Sequence, residues 1–215
     1  MITMQWILQL PVLFFSIIVH EYAHGYIALK HGDDTAYLSG RLTFNPLPHI
    51  DLMGTILMPI MCIMSGMPVF GWAKPVPVNP FRLNRPRKDM ALVALAGPAA
   101  NITLAFISLL LFKIVSLSGL VSAGLTNTFL MVFSFAVIIN LALAVFNLIP
   151  VFPLDGSQIL LGLLPDKYLD VYEKHIPYGM YIILFLMISG ILKTLIVPPI
   201  YFALMVFSKM GLGLI

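Results

Sequence analysis

The sequence predicts an all-α polytopic membrane protein, with a three-helix core followed by C-terminal helices. Hydrophobic residues make up 60% of the 215 residues and charged residues only 10%, and the mean hydropathy is +1.00, far from the soluble average. The net charge of +3 is too small to indicate nucleic-acid binding. Cys62 is the single cysteine, which excludes an intrachain disulfide and a cysteine-based zinc site.

The N-terminal part predicts one spanning helix followed by two irregular segments. The first helix runs from about Trp6 to Leu29 and ends in a charged stretch. Asp51–Met67 is apolar but shorter than the ~20 residues of a spanning helix, so we expect it to be re-entrant. Valine and proline then alternate in Gly71–Pro80, which predicts a membrane-associated loop of extended or edge-strand backbone.

Three further apolar blocks follow, Met90–Phe112, Thr128–Ile149 and Tyr178–Phe207. An amphiphilic connector, Pro150–Pro177, lies between the last two. Because Gly190 and two prolines interrupt the last block, it is either one kinked helix or a pair of spans. The whole chain, 1–215, is expected to be one membrane domain.

Residues 20–24 read His-Glu-Tyr-Ala-His, an H-E-x-x-H pattern inside the first apolar helix. His20 and His24 lie on one helix face and could bind one zinc ion, with Glu21 as general base toward a water that the zinc activates. Ionisable groups at membrane depth are costly and usually functional. A chance match with satisfied histidines is the competing interpretation.

Catalytic zinc usually has three protein ligands, and Asp155 is the strongest candidate for the third. It follows an apolar helix, beyond two prolines that break the helical hydrogen bonds. Such irregular backbone at membrane depth is tolerated only where it is buried or lines a wet cavity. Asp155 could instead cap a short helix that begins at Gly156.

These motifs together resemble the site-2 protease family of intramembrane zinc metalloproteases. The matching segments are His20–His24, Gly97–Asn101 (G-P-A-A-N), Asn147–Gly156 (N-x-x-P-x-x-P-L-D-G) and the extended loop Gly71–Asn79. The resemblance covers most of residues 15–160. It implies a short, core-only form without PDZ or CBS domains, with a catalytic core at about 6–160 and C-terminal helices at about 161–215.

The resemblance implies one zinc ion per chain, held by His20, His24 and Asp155, with Glu21 as catalytic base. Asn147 would lie near the zinc and bind or polarise the substrate carbonyl. The implied activity is hydrolysis of peptide bonds in or near transmembrane segments, as in regulated intramembrane proteolysis.

Two further assignments are expectations of the same kind. Asn101 either makes an interhelical hydrogen bond or takes part in the active site. The extended loop, through Trp72, Val76 and Val78, could pair as a strand with an unwound substrate. The expected partners are a transmembrane-protein substrate and the lipid bilayer, with no nucleic acid and the oligomeric state open.

Topology restricts these assignments, because His20, His24 and Asp155 can share one ion only on one side of the membrane. Two crossings between them satisfy that condition, and a third by Asp51–Met67 would not. The positive-inside rule then places the N-terminus outside and the zinc toward the cytoplasmic face of a prokaryotic plasma membrane. The basic residues expected in cytoplasmic segments are Lys30, Arg41, Lys74, Arg82, Arg85, Arg87, Lys88, Lys167 and Lys174.

The main rival is a zinc or divalent-metal transporter, or a metal sensor, that uses the same three ligands. A transporter has no need of a base that does not bind the metal, so Glu21 separates the two functions.

Overall fold

The structure is a computed structural model that describes residues 2–65, 73–118 and 123–214, and this part of the chain is helical with no strand. Within these described ranges, four helices are long and apolar enough to cross a membrane. The α-helices are α1 (Ile2–Lys30), α2 (Thr35–Leu38), α3 (Met58–Ser65), α4 (Pro86–Ser118), α5 (Ala123–Asn147), α6 (Asp155–Leu163), α7 (Leu169–Glu173), α8 (Gly179–Ile188) and α9 (Ile191–Lys209).

Helix α4 lies at the centre and packs against α1, α5 and α6. The contact of α4 with α5 is formed by buried Ala105 and Leu109 on one side and Val137 and Leu141 on the other. Small and branched apolar residues allow close approach of helices where lipid gives no hydrophobic drive for association. Helix α9 covers this cluster with residues that include Phe207.

The segment between α1 and α4 contains no helix of spanning length among its described residues. A π-helix of 6 residues, Leu52–Leu57, runs into α3, which has 8, so the part that the structure describes, up to Ser65, is about 21 Å long. The hydrocarbon core is about 30 Å thick. Residues 66 and 67 of the predicted segment lie outside the described residues, and the re-entrant placement of Asp51–Met67 stays a prediction. Residues 73–79 form neither helix nor strand.

The C-terminal block is divided into α8 and α9 by Gly190, whose φ is 77°. That left-handed backbone suits glycine. The block is therefore two separate helices and not one kinked helix, but it is not a pair of spans either. Helix α8 has only 10 residues, so α9 alone is of spanning length here. Pro198 and Pro199 lie inside α9.

Candidate metal centre

Three possible metal ligands from distant parts of the chain meet at one point. His20 and His24 come from α1 and Asp155 from the first turn of α6, and their ligand atoms all lie within 4.8 Å of one another. His20 Nε2 lies 3.1 Å from Asp155 Oδ2, and His24 Nε2 lies 3.4 Å from Asp155 Oδ1. Two ligands on a tetrahedral zinc with bonds of 2.0–2.1 Å would be about 3.3 Å apart. The spacing therefore fits the ion.

Hydrogen bonds determine which nitrogen of His20 faces this point. Its Nδ1 lies 2.6 Å from Oδ1 of the fully buried Asn101. The amide nitrogen of Asn101 donates to the backbone carbonyl of Ser16 at 3.2 Å. Because a carbonyl can only accept, the oxygen of Asn101 must be turned toward His20. Nδ1 of His20 therefore carries a proton, and in the neutral ring Nε2 presents its lone pair.

His24 reaches the same state through a backbone contact. Its Nδ1 lies 2.7 Å from the carbonyl oxygen of Val93 in α4, so Nδ1 is the donor, and in the neutral ring Nε2 is bare. Two nitrogen lone pairs and a carboxylate thus converge, and the buried Oδ2 of Asp155 has no hydrogen-bond partner. Burial of several hydrogen-bond acceptors that face one another, with no donor to satisfy them, costs free energy. A cation bound by all three resolves this cost, and the outer hydrogen bonds are those that metal-bound histidines usually make.

Gly97 of α4 provides the space for such an ion. A Cβ atom added there would lie 2.5 Å from His24 Nε2 and 2.6 Å from His20 Nε2. Even the methyl group of an alanine at residue 97 would therefore come close to both ring nitrogens. The glycine of the G-P-A-A-N motif therefore lets α4 approach the two imidazoles closely.

A second close approach positions Asp155. A Cβ atom on Gly156 would lie 2.3 Å from the carbonyl oxygen of Leu148 and 2.5 Å from that of Ile149. The chain therefore folds back onto the end of α5 only because residue 156 is glycine. The N-cap of α6 is Leu154, without a side-chain cap bond, so the Asp155 carboxylate is not used as a cap and is directed to the histidines.

Glu21 lies outside the three-ligand group and contacts the extended loop. Its Oε2 accepts a hydrogen bond of 2.7 Å from the backbone N–H of Val76. The Val76 side chain is buried and lies against Gly25, one residue after His24. The loop is thus held directly beside the H-E-x-x-H turn of α1.

Other predicted residues are placed differently. Asn101 makes interhelical hydrogen bonds and supports His20, whereas the amide of Asn147 donates back to Leu143 of its own helix at 3.1 Å. The transition-state roles expected of both stay predictions. Val78 packs on the core formed with Val93, and Trp72 lies outside the described residues.

The polar residues behind His20 were not predicted from the sequence. Asn140 of α5 and Ser16 of α1 are buried and bond to Asn101 and to each other. Single polar residues in three apolar helices show no spacing that would reveal their contact, although their cost at membrane depth was a signal.

The clamp on the segment before Asp155 was not predicted from the sequence either. Nε2 of His175 accepts from the Phe152 N–H at 3.2 Å, and the Tyr172 hydroxyl donates to the Pro150 carbonyl at 2.8 Å. Burial raises the pKa of the Tyr172 phenol, which keeps it a donor.

Comparison with known proteins identifies the family. The chain is 40% identical over 185 residues to a Bacillus subtilis protein named "Putative zinc metalloprotease YwhC", an alignment that covers 84% of this chain and 81% of that protein. The model of peptidase family M50 matches residues 112–190, which include Asp155. The chain belongs to peptidase family M50.

More distant relatives agree. A zinc metalloprotease of Methanocaldococcus jannaschii is 24% identical over 76% of this chain and 36% of its own length. A Mycobacterium tuberculosis protein named "Putative zinc metalloprotease Rip2" is 26% identical over 84% of this chain and 65% of its own length. None of the solved protein structures matches the chain.

M50 membership and the four apolar helices make this chain an integral multi-pass membrane protein of a zinc metalloprotease family. The cofactor of the family is zinc, and the three-ligand group supplies nitrogen and oxygen ligands that zinc accepts.

Proposed function

We propose that this M50 protein is an intramembrane metalloendopeptidase that hydrolyses peptide bonds in or near transmembrane segments of membrane proteins. The supporting observation is the convergence of His20, His24 and Asp155 with both imidazoles held in the metal-binding tautomer. His24 lies six residues before the end of α1, or about 9 Å from it. The centre is therefore submerged but close to one end of a spanning helix.

His20, His24 and Asp155 would hold the zinc. When bound, zinc supplies a Lewis acid that lowers the pKa of a water and polarises a carbonyl. Glu21 takes up the proton of the attacking water and delivers it to the leaving amine. The Val76 N–H fixes one oxygen of Glu21, and the other oxygen of the carboxylate can receive the proton.

A transmembrane substrate must unwind locally before its carbonyls can be attacked, because a helix in lipid satisfies them internally. The loop at residues 73–79 lies beside Glu21 and is the candidate to pair with the unwound backbone. Since the Val76 N–H is already used by Glu21, proline at Val78 gives the cleaner test. We expect Val78→Pro to lower cleavage with zinc retained, and unchanged cleavage would remove the pairing role.

We place the centre toward the cytoplasmic face of a prokaryotic plasma membrane, following the basic residues. An ion pair of Asp34 with Arg82 joins the end of α1 to the start of α4, which supports a common side for both. Tyr37 and Phe81 are 62% and 94% exposed, so cysteines there, in a chain lacking Cys62, should both be labelled from the cytoplasm. Labelling from opposite sides would contradict this topology.

The decisive variant is Glu21→Gln, which keeps a side-chain oxygen for Val76 but cannot take up a proton. We expect zinc content to be unchanged and cleavage of a panel of single-span substrates to fall by at least about 100-fold. The matched control is Glu173→Gln, at the other glutamate of the sequence, which should cleave normally. Equal activity of both variants would refute the proposal, and zinc flux in liposomes without cleavage would favour the transporter.

A further inference from the structure

We infer that Asn140 and Ser16 are positioning residues for the zinc ligand His20, through control of the orientation of the Asn101 amide. This inference rests on the proposed zinc site. It concerns how the site is kept ready for the metal, and not how a peptide is cleaved.

The residues form one hydrogen-bonded chain through three helices. His20 Nδ1 meets Asn101 Oδ1 at 2.6 Å, and Asn101 Nδ2 donates to Asn140 Oδ1 at 2.8 Å. Asn140 Nδ2 donates to Ser16 Oγ at 2.8 Å, and Ser16 Oγ donates to the carbonyl of Val12 at 2.8 Å. Asn101, Asn140 and Ser16 are at most 2% exposed, so water does not replace these bonds.

The donor-to-acceptor direction of this series of hydrogen bonds is fixed at several points by carbonyl oxygens, which can only accept. Asn140 Nδ2 also donates to the carbonyl of Ala136 at 2.9 Å, so its amide cannot be reversed without setting oxygen against oxygen. The hydroxyl of Ser16 is committed as donor to Val12, and its oxygen is then left to accept from Asn140. Every donor in this series of hydrogen bonds therefore points away from the metal centre, and the donor nearest to the metal centre is the Nδ1–H of His20.

Asn140 provides the stronger of the two constraints on Asn101. Asn101 Nδ2 has two acceptors, Asn140 Oδ1 at 2.8 Å and the Ser16 carbonyl at 3.2 Å. Without Asn140, only the longer bond opposes a flip of the amide. A flipped Asn101 would offer its NH₂ to Nδ1 of His20, which would then have to accept. The proton would move to Nε2, where it blocks the metal-binding lone pair.

The same chain joins α1, α4 and α5, so a packing role has to be separated from the positioning role. Two substitutions at Asn140 do so. Asn140→Leu removes the acceptor for Asn101. Asn140→Asp, which stays protonated in this buried setting, keeps an oxygen acceptor toward Asn101 and an O–H donor toward Ser16. Ser134→Ala is the control, because Ser134 lies on the same helix and its hydroxyl bonds back to the carbonyl of Leu130.

The test measures the tautomer of His20 and the zinc dissociation constant, both without substrate. The tautomer is read from the ¹⁵N chemical shifts of the imidazole in metal-free protein. We expect the Nδ1–H form in the natural protein, Asn140→Asp and Ser134→Ala. Asn140→Leu should show the Nε2–H form as well and bind zinc about tenfold more weakly, the lower end for outer-shell changes.

Asn140→Leu with an unchanged tautomer would overturn the inference, and so would equal loss of zinc affinity in the leucine and aspartate variants. The second result would mean that Asn140 acts through packing alone. If the natural protein shows the Nδ1–H tautomer of His20 and binds zinc but cleaves no peptide, the proposed function fails and this inference stands.

Discussion

Substitution of Gly97 by alanine is the sharpest perturbation of the proposed centre. The added Cβ would lie 2.5 Å from His20 Cε1 and from His24 Nε2. Carbon atoms in contact prefer about 3.5–4.0 Å, so the imidazoles must retreat by about 1 Å. Zinc ligands tolerate errors of only about 0.2 Å. The displacement is several times that tolerance, and Gly97→Ala should lose bound zinc.

The expected size follows from the same displacement. Overpacking of this kind costs about 1–3 kcal/mol of stability, which leaves a folded protein, and a 1 Å misplacement of reacting groups costs about 100-fold in rate. We would measure zinc per chain, thermal unfolding in detergent and cleavage of a single-span substrate. Gly124→Ala is the matched control, since a Cβ there meets nothing within 4 Å. Zinc content and cleavage equal to the control would refute the assignment of Gly97.

Three further outcomes are expected. Removal of zinc by a chelator should abolish cleavage, and added zinc should restore it; cleavage that survives complete removal would exclude a metalloprotease. Gly156→Ala should lose zinc as Gly97→Ala does, because the carbonyl oxygens at Leu148 and Ile149, 2.3 and 2.5 Å from the added Cβ, cannot rotate away; a normal zinc content would show that Asp155 is not the ligand. His175→Ala should lower the unfolding temperature, since the Phe152 N–H loses its acceptor at a cost of roughly 0.5–1.5 kcal/mol; an unchanged temperature would remove His175 from the clamp.

The sequence predicted the helical membrane fold because long apolar runs leave few alternatives. It also predicted the meeting of His20 and His24 with Asp155. The i, i+4 spacing paired the two histidines, and Asp155 followed from its place beyond the helix-breaking prolines and mostly from the resemblance to the site-2 protease family. The bounds of α4, which begins at Pro86 and not at Met90, were less accessible, because charged residues at a membrane surface can be helical or not.

The surroundings of the site could not be read in the same way. The role of Gly97 depends on where α4 crosses α1, and the Val76 amide is a backbone donor with no sequence signature. Asn140 joins the site through the rotation of α5, which a helix apolar on all sides does not reveal. Contacts between elements, and not propensities within them, decide these features.

The most direct test of the account is the zinc content of the purified protein and of Asp155→Ala and His20→Ala, with His31→Ala as a histidine control outside the three-ligand group. We predict one zinc ion per chain in the natural protein and in the control, and loss of zinc in the other two variants. Zinc that stays bound when Asp155 or His20 is removed would contradict the proposed centre, as would a natural protein that binds no zinc.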